Sequence, residues 1–166
     1  MATTKTLEDL FYETLKDIYY AERQIVKALP KMARGAQDEK LKQAFLTHKE
    51  ETEGQIDRLK QVFEIIGKRA QGKTCDAIEG ILSEGEEILD EFKGTPALDA
   101  GLLAAAQAVE HYEISRYGTL VAWAKQLGMK EAAALLAETL AEESKTDEAL
   151  TTLATKAVNS AAKKAA

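Results

Sequence analysis

The chain has 166 residues, a formal net charge of −6 and a single cysteine. That length suits one ordinary domain able to bury a core without disulfides, and the acidic balance argues against nucleic acid or an anionic membrane as partner, since both recruit basic patches. Alanine, leucine, glutamate and lysine dominate and there are only two prolines, so the composition reads all-α.

The N-terminus, Met1 to Lys5, carries no apolar core of the kind a secretory signal needs, and no apolar run is long enough to span a bilayer. Cys75 stands alone, which rules out an intrachain disulfide and a thiolate cluster and fits a reducing, cytoplasmic setting. It reads as a half-buried helix residue.

Thr6 and Asp9 form a capping pair for a first helix whose apolar seam runs Leu7, Phe11, Leu15, Ile18, Glu22, Ile25, Leu29 and Met32, with Gly35 as its stop. Asp38 caps a second helix with the seam Leu41, Phe45, His48, Thr52, Gln55, Leu59, Val62 and Ile66, closed by Gly67. Residues 68–74 are polar and loop-like, and residues 75–92 read as a shorter amphipathic helix through Ile78, Ile81, Leu82, Ile88 and Leu89. This stretch is a crossover long enough to retrace the second helix, so that the third starts at the same end. The third helix spans about residues 97–127, Gly128 breaks the chain, and a fourth follows through Ala133, Leu136, Leu140, Glu143, Asp147, Leu150, Ala154 and Ala157. Residues 159–166 are expected to fray. The predicted organisation is one domain over 1–166: a hairpin at 7–66, a crossover at 67–96 and a hairpin at 97–158.

The third helix organises the rest. Its seam at 103, 106, 110, 113, 117, 120, 124 and 127 alternates steps of three and four, and two of those positions are Glu110 and Glu113. Burying two carboxylates costs several kcal/mol per charge unless cations or donors compensate. The two hairpins also read as copies. Glu22 lies 14 residues before a turn near Ala36 and Glu51 lies 15 after it, while Glu113 and Glu143 each lie 15 from Gly128. Residues equidistant from an antiparallel turn sit side by side, so each pair should meet roughly 22 Å from its turn, and all four should converge if the hairpins pack. Glu22, Glu113 and Glu143 replace apolar residues in their stripes, whereas Glu51 is one step off phase. Gln55 follows Glu51, and Asp147 follows Glu143, by four residues; His48 precedes Glu51 by three.

Hard oxygen donors with an occasional imidazole suit iron, manganese, zinc or other divalent ions, whose charge stabilises carboxylates sharing a dry core. The symmetric layout calls for two ions, iron first, held by Glu22, Glu51, Glu113 and Glu143 with Glu110, Asp147 and His48 in secondary roles. Dioxygen or peroxide is the expected reactant, with Tyr19, Tyr20, Tyr112 and Tyr117 as neighbouring hydrogen bonders. Against this stands a polar layer that fixes helix register through Arg23, Arg58 or Arg116. His48 serves equally as a ligand or as a core histidine bonded to a carboxylate, and His111 is off the seam and solvent-facing. Gln55, a poor donor to transition metals, is expected to bond a ligand or a metal-bound water.

The segments DIYYAERQ at 17–24, HKEETEGQIDRL at 48–59 and AVEHYEISRYGTL at 108–120, with Glu142, Glu143, Thr146, Asp147 and Leu150 in the fourth helix, resemble the bacterial YciE/YciF stress-protein family within the ferritin-like superfamily. The similarity spans nearly the whole chain. The resemblance implies a ferritin-like four-helix bundle with an additional crossover helix, a homodimer, a dinuclear iron site and induction under stress, without a settled reaction. It places Glu22, Glu51, Glu113 and Glu143 where such proteins hold their bridging and terminal carboxylates. The chain departs from the superfamily in lacking its Glu-x-x-His pairs, since Gly54 and Thr146 stand third after Glu51 and Glu143. Two readings follow from the sequence: a metal-dependent protein handling iron or reactive oxygen species, and a non-enzymatic dimeric helical module whose polar layer is structural.

Overall fold

A computed structural model describes residues 4–164; the expectations for the extreme termini, Met1 to Thr3 and Ala165 to Ala166, lie outside the described residues. Five helices dominate: α1 (Leu7–Gly35), α2 (Glu39–Ile65), α3 (Asp76–Glu91), α4 (Leu98–Gln126) and α5 (Lys130–Leu153). α5 continues through a π-helical turn, Ala154–Val158, into a short α6, Asn159–Lys164, so the expected fraying does not begin at Asn159.

Local chemistry sets the helix ends. Thr6 accepts a hydrogen bond from the Asp9 amide, and the Asp9 carboxylate accepts one from the Thr6 amide, which is the reciprocal box foreseen for α1. Asp38 accepts from the Leu41 amide at the start of α2; such caps contribute about 1 kcal/mol each. α4 and α5 meet in a tight turn in which Gly128 takes φ of 74°, a left-handed conformation that glycine adopts without a Cβ clash.

α1 pairs with α2 and α4 with α5 as antiparallel hairpins, and the two hairpins pack face to face through α1–α4 and α2–α5. α3 crosses outside the bundle against α4 and α1, burying Ile78 and half-burying Ile81, Leu82, Ile88 and Leu89. It lies so close to α4 that a Cβ at Gly101 would sit 2.7 Å from Ile88 Cγ2. Cys75 is fully buried rather than half-buried, and sits at the N-cap of α3 with its Sγ 3.0 Å from the Tyr112 hydroxyl.

The core is apolar at both ends of the bundle, with Phe11, Leu15, Leu59 and Leu120 towards one and Met32, Leu41, Leu103 and Leu150 towards the other. Each fully buried side chain of this kind contributes about 1.5–3 kcal/mol. Between them, every long helix turns polar: Glu22 in α1, His48, Thr52 and Gln55 in α2, Glu110 and Glu113 in α4, Thr139 and Glu143 in α5 are all buried. Among the described residues no helix is long and apolar enough to cross a membrane.

Candidate metal centre

The polar layer arises because the apolar stripes of α1, α4 and α5 are each interrupted in phase by glutamate. Glu22, Glu113 and Glu143 are 0% exposed and Glu110 is 1% exposed. From α2 the phase delivers His48 instead of Glu51. His48, Glu110, Glu113 and Glu143 each offer a ligand atom, and these atoms lie within 4.8 Å of one another. His48 Nε2 is 2.9 Å from Glu110 Oε1, close enough for an ion pair but without the alignment of a hydrogen bond.

Glu22 joins from α1, the remaining long helix of the bundle. Tyr117, itself fully buried, donates to Glu22 Oε1 at 2.6 Å, leaving Glu22 Oε2 without a partner. Of the four tyrosines named from the sequence, Tyr117 alone touches a buried glutamate among the described residues. Tyr19 packs edge-on against Phe63, Tyr20 bonds Glu79, and Tyr112 bonds Asp17.

The electrostatics are those of acids left with one another. Burial, then the Glu143 charge, pushes the Glu22 carboxyl up to about 8, and burial raises Glu110 to about 7. Glu113 and Glu143 are pushed well above the carboxylate range, first by burial and then by their acidic neighbours. Ionised, the set leaves seven oxygens unpartnered: both of Glu113, both of Glu143, and one each of Glu22, Glu110 and Gln55. Protonated, neighbouring pairs such as Glu110 and Glu143 can bond to each other. Unpaired buried charge is strongly unfavourable, so such a set is stable only if neutralised by protons or by cations.

The arginines do not supply that cation, which overturns the expectation of a layer held by Arg23, Arg58 or Arg116. Arg23 lies over the Tyr19 ring and Arg116 over the Tyr112 ring. Arg58 is taken up by Glu142, Glu138 and the Thr139 hydroxyl on the outer side of the α2–α5 seam.

Two other expected ligands lie apart from the cluster. Glu51, one step off phase, is 40% exposed at its side chain, accepts from the Thr146 hydroxyl, and comes no closer than 3.9 Å to His48 Nδ1. Asp147 is held by His111 and Gln107 near the surface rather than among the buried acids. His111 is solvent-facing, 69% exposed.

Gln55 is more informative than its chemistry suggested. Its Nε2 donates to Glu142 at 3.0 Å, which fixes the amide and leaves Oε1 buried and unpartnered. The sequence also gave no sign that Glu142 and Thr139 would anchor Arg58. The one available signal was that α2 and α5 are antiparallel, which brings residues of complementary number to one level.

Fold and site together define a ferritin-like protein: an antiparallel four-helix bundle with a crossover helix and a buried carboxylate and imidazole cluster at its midpoint. The chain belongs to the family described as a domain of unknown function, DUF892, which matches residues 6–163. It is 49% identical over 156 residues to the protein YciF of Escherichia coli strain K12, covering 93% of this chain and 94% of that one. The crystal structure of the E. coli stress protein YciF superposes with a TM-score of 0.89, covering 94% of this chain and 99% of that chain at 49% identity. YcfI of Rhodopseudomonas palustris, provisionally described as a structural protein, superposes with a TM-score of 0.88 at 47% identity, covering 91% of this chain and 96% of that chain.

Proposed function

We infer that the buried cluster holds divalent metal, two ions with iron as the first candidate, and that the protein handles iron or reactive oxygen species under stress. The observation that carries this reading is the set of unpartnered carboxylate oxygens in a core where the arginines face elsewhere. The donor set fits the group: carboxylates and one imidazole are the ligands of iron, manganese and zinc. Seven oxygens and a histidine exceed what one six-coordinate ion needs, which supports a pair.

His48, Glu110, Glu113 and Glu143 would hold one ion, and Glu22, with an unpartnered oxygen in the same layer, would add a carboxylate for a second. A redox-active pair of ions would supply electrons to dioxygen or peroxide. The chain's own contributions are separate from that chemistry. Burial excludes bulk water from all five groups. The Tyr117 hydroxyl, kept protonated by burial and the neighbouring Glu22 charge, donates a hydrogen bond to Glu22 and orients it. Gln55, clamped by Glu142, presents an amide oxygen to the core.

The description of YciF as a stress protein supports the cellular setting. A cytoplasmic location and a homodimer belong to the same reading, for which the lone cysteine and the family resemblance are the support. The structural-module alternative draws on the description of the R. palustris relative, and it leaves the unpartnered oxygens without a role.

Anaerobic ferrous titration followed by air tests the reading. About two equivalents of iron per chain, a near-ultraviolet band on oxidation, and loss of both in a Glu22→Ala plus Glu143→Ala variant are expected. Protein that takes up no metal after growth in iron-rich medium, and whose folding is indifferent to chelators, would overturn it.

A further inference from the structure

Beyond His48 and Glu110 the bundle is not filled. A cavity of about 470 Å³ runs from that pair towards the α1–α2 turn, enclosed by α1, α2, α4 and α5 with Leu82 of α3 at its back. Its walls include Ile25, Leu29, Met32, Phe45, Val109 and Leu150. This volume is in the range of small-molecule sites, and water in so apolar a space finds few partners.

The cavity opens where two helices are not tied. Every side-chain hydrogen bond between α2 and α5 among the described residues joins Glu51, Gln55 or Arg58 to the stretch from Glu138 to Thr146. On the other side of Glu51, no such bond crosses the seam. There α2 presents exposed Lys40, Gln43 and Thr47, and α5 presents exposed Lys145 and Ala149, all of them at the cavity.

Two lysines, Lys40 and Lys145, line the cavity, and like most lysines of the chain neither makes an ion pair among the described residues. Lys145 lines the same end of the cavity as Glu51 and Thr146, beside the buried acids. Lys40 stands at the end farthest along α2 from the buried acids. The exposed ammonium of Lys40 can pair with an anionic head group in water, and the apolar walls between it and the buried acids suit a tail. From Lys40 to His48, α2 advances about 12 Å at 1.5 Å per residue, the length of an extended chain of about ten carbons.

We propose that this cavity binds a medium-chain aliphatic carboxylate, its head group at Lys40 and its tail running between Leu29, Phe45 and Leu150 towards His48 and Glu110. The site does not depend on bound metal, so its test stands apart from that of the metal centre.

Isothermal titration of metal-free protein with decanoate, below its micelle concentration, is expected to give saturable binding. Ala44→Trp and Ala149→Trp, both at partly or fully exposed positions that tolerate a larger side chain, should abolish it while far-ultraviolet circular dichroism stays unchanged. Lys40→Glu should weaken decanoate by about five- to tenfold, the scale of a lone exposed ion pair reversed, and leave decanol binding unaltered. Absence of saturable heat, undiminished affinity in both tryptophan variants, or decanol binding as tightly as decanoate would overturn the proposal. A tryptophan variant that changes the sedimentation coefficient, in protein that does not take up decanoate, would assign the slot to a second copy of the chain.

Discussion

Glu142 and Glu143 are adjacent in sequence and have opposite surroundings. Glu142 lies on the outer side of the α2–α5 seam, where Arg58 grips both of its oxygens, at 3.1 and 2.9 Å, and Gln55 adds a third bond. Burial pushes its carboxyl up, yet those hydrogen bonds outweigh it and hold the group below the usual range. Glu143, 0% exposed on the inner side, has neither oxygen partnered as a carboxylate, and its pKa goes the other way. The chain thus supplies a guanidinium where a carboxylate is only half-buried, and none where burial is complete. That contrast separates acids that hold the bundle together from acids whose charge only protons or a cation can neutralise.

Substitution sharpens the contrast most at the inner residue. Glu143→Gln should weaken ferrous binding by at least about a hundredfold, whereas Glu142→Gln should leave it within about twofold; equilibrium competition with a chelator reads both. Equal losses would erase the distinction.

A second expected effect is on pH. Glu22 and Glu110 sit at about 8 and about 7 in the fold against an ordinary 4.5, so the metal-free folded chain binds more protons than the unfolded one. The stability this contributes is fully present below about pH 4.5 and is lost as pH rises through about 7 to 8. Melting of metal-free protein should therefore drop between about pH 5.5 and 8.5, and Glu143→Gln should flatten the decline. Metal affinity has the reverse slope, because binding displaces those protons.

Smaller again is the outer pair. Arg58→Met removes hydrogen bonds to a partly buried carboxylate and should cost about 1–2 kcal/mol by urea denaturation, with iron uptake retained. The exposed Lys49–Glu53 pair, 2.8 Å apart within α2, should be worth only about 0.3–0.5 kcal/mol in a double-mutant cycle.

Much of this was legible from period alone. Every α4 seam residue from Leu103 through Ala124 is buried, with Leu127 half-buried at the end, although the helix also buries Leu98, Leu102, Val109 and Val121 off that seam. Phase correctly set Glu51 apart from Glu22, Glu113 and Glu143. Equal distance from a turn was the weaker guide: it brought Glu51 into the cluster on paper, but His48, three residues earlier and about 60° round the helix, stands there instead. Asp147 shows the same limit, since its seam position gave no hint that His111 and Gln107 would compete for it. Partners on other helices depend on how far one hairpin is rotated against the other, and no single helix encodes that angle. The cavity was illegible for the same reason.

That relative setting has a physical agent in the crossover. α3 touches α1 and α4, one helix from each hairpin, and Ile88 occupies the place a Cβ on Gly101 would take, so that sliding α4 by one residue would bring Ala100 or Leu102 against it. One residue of slippage would move Glu113 about 1.5 Å along its axis, as much as separates a good ligand position from a useless one. The segment that contributes no ligand is therefore the ruler by which the others are aligned.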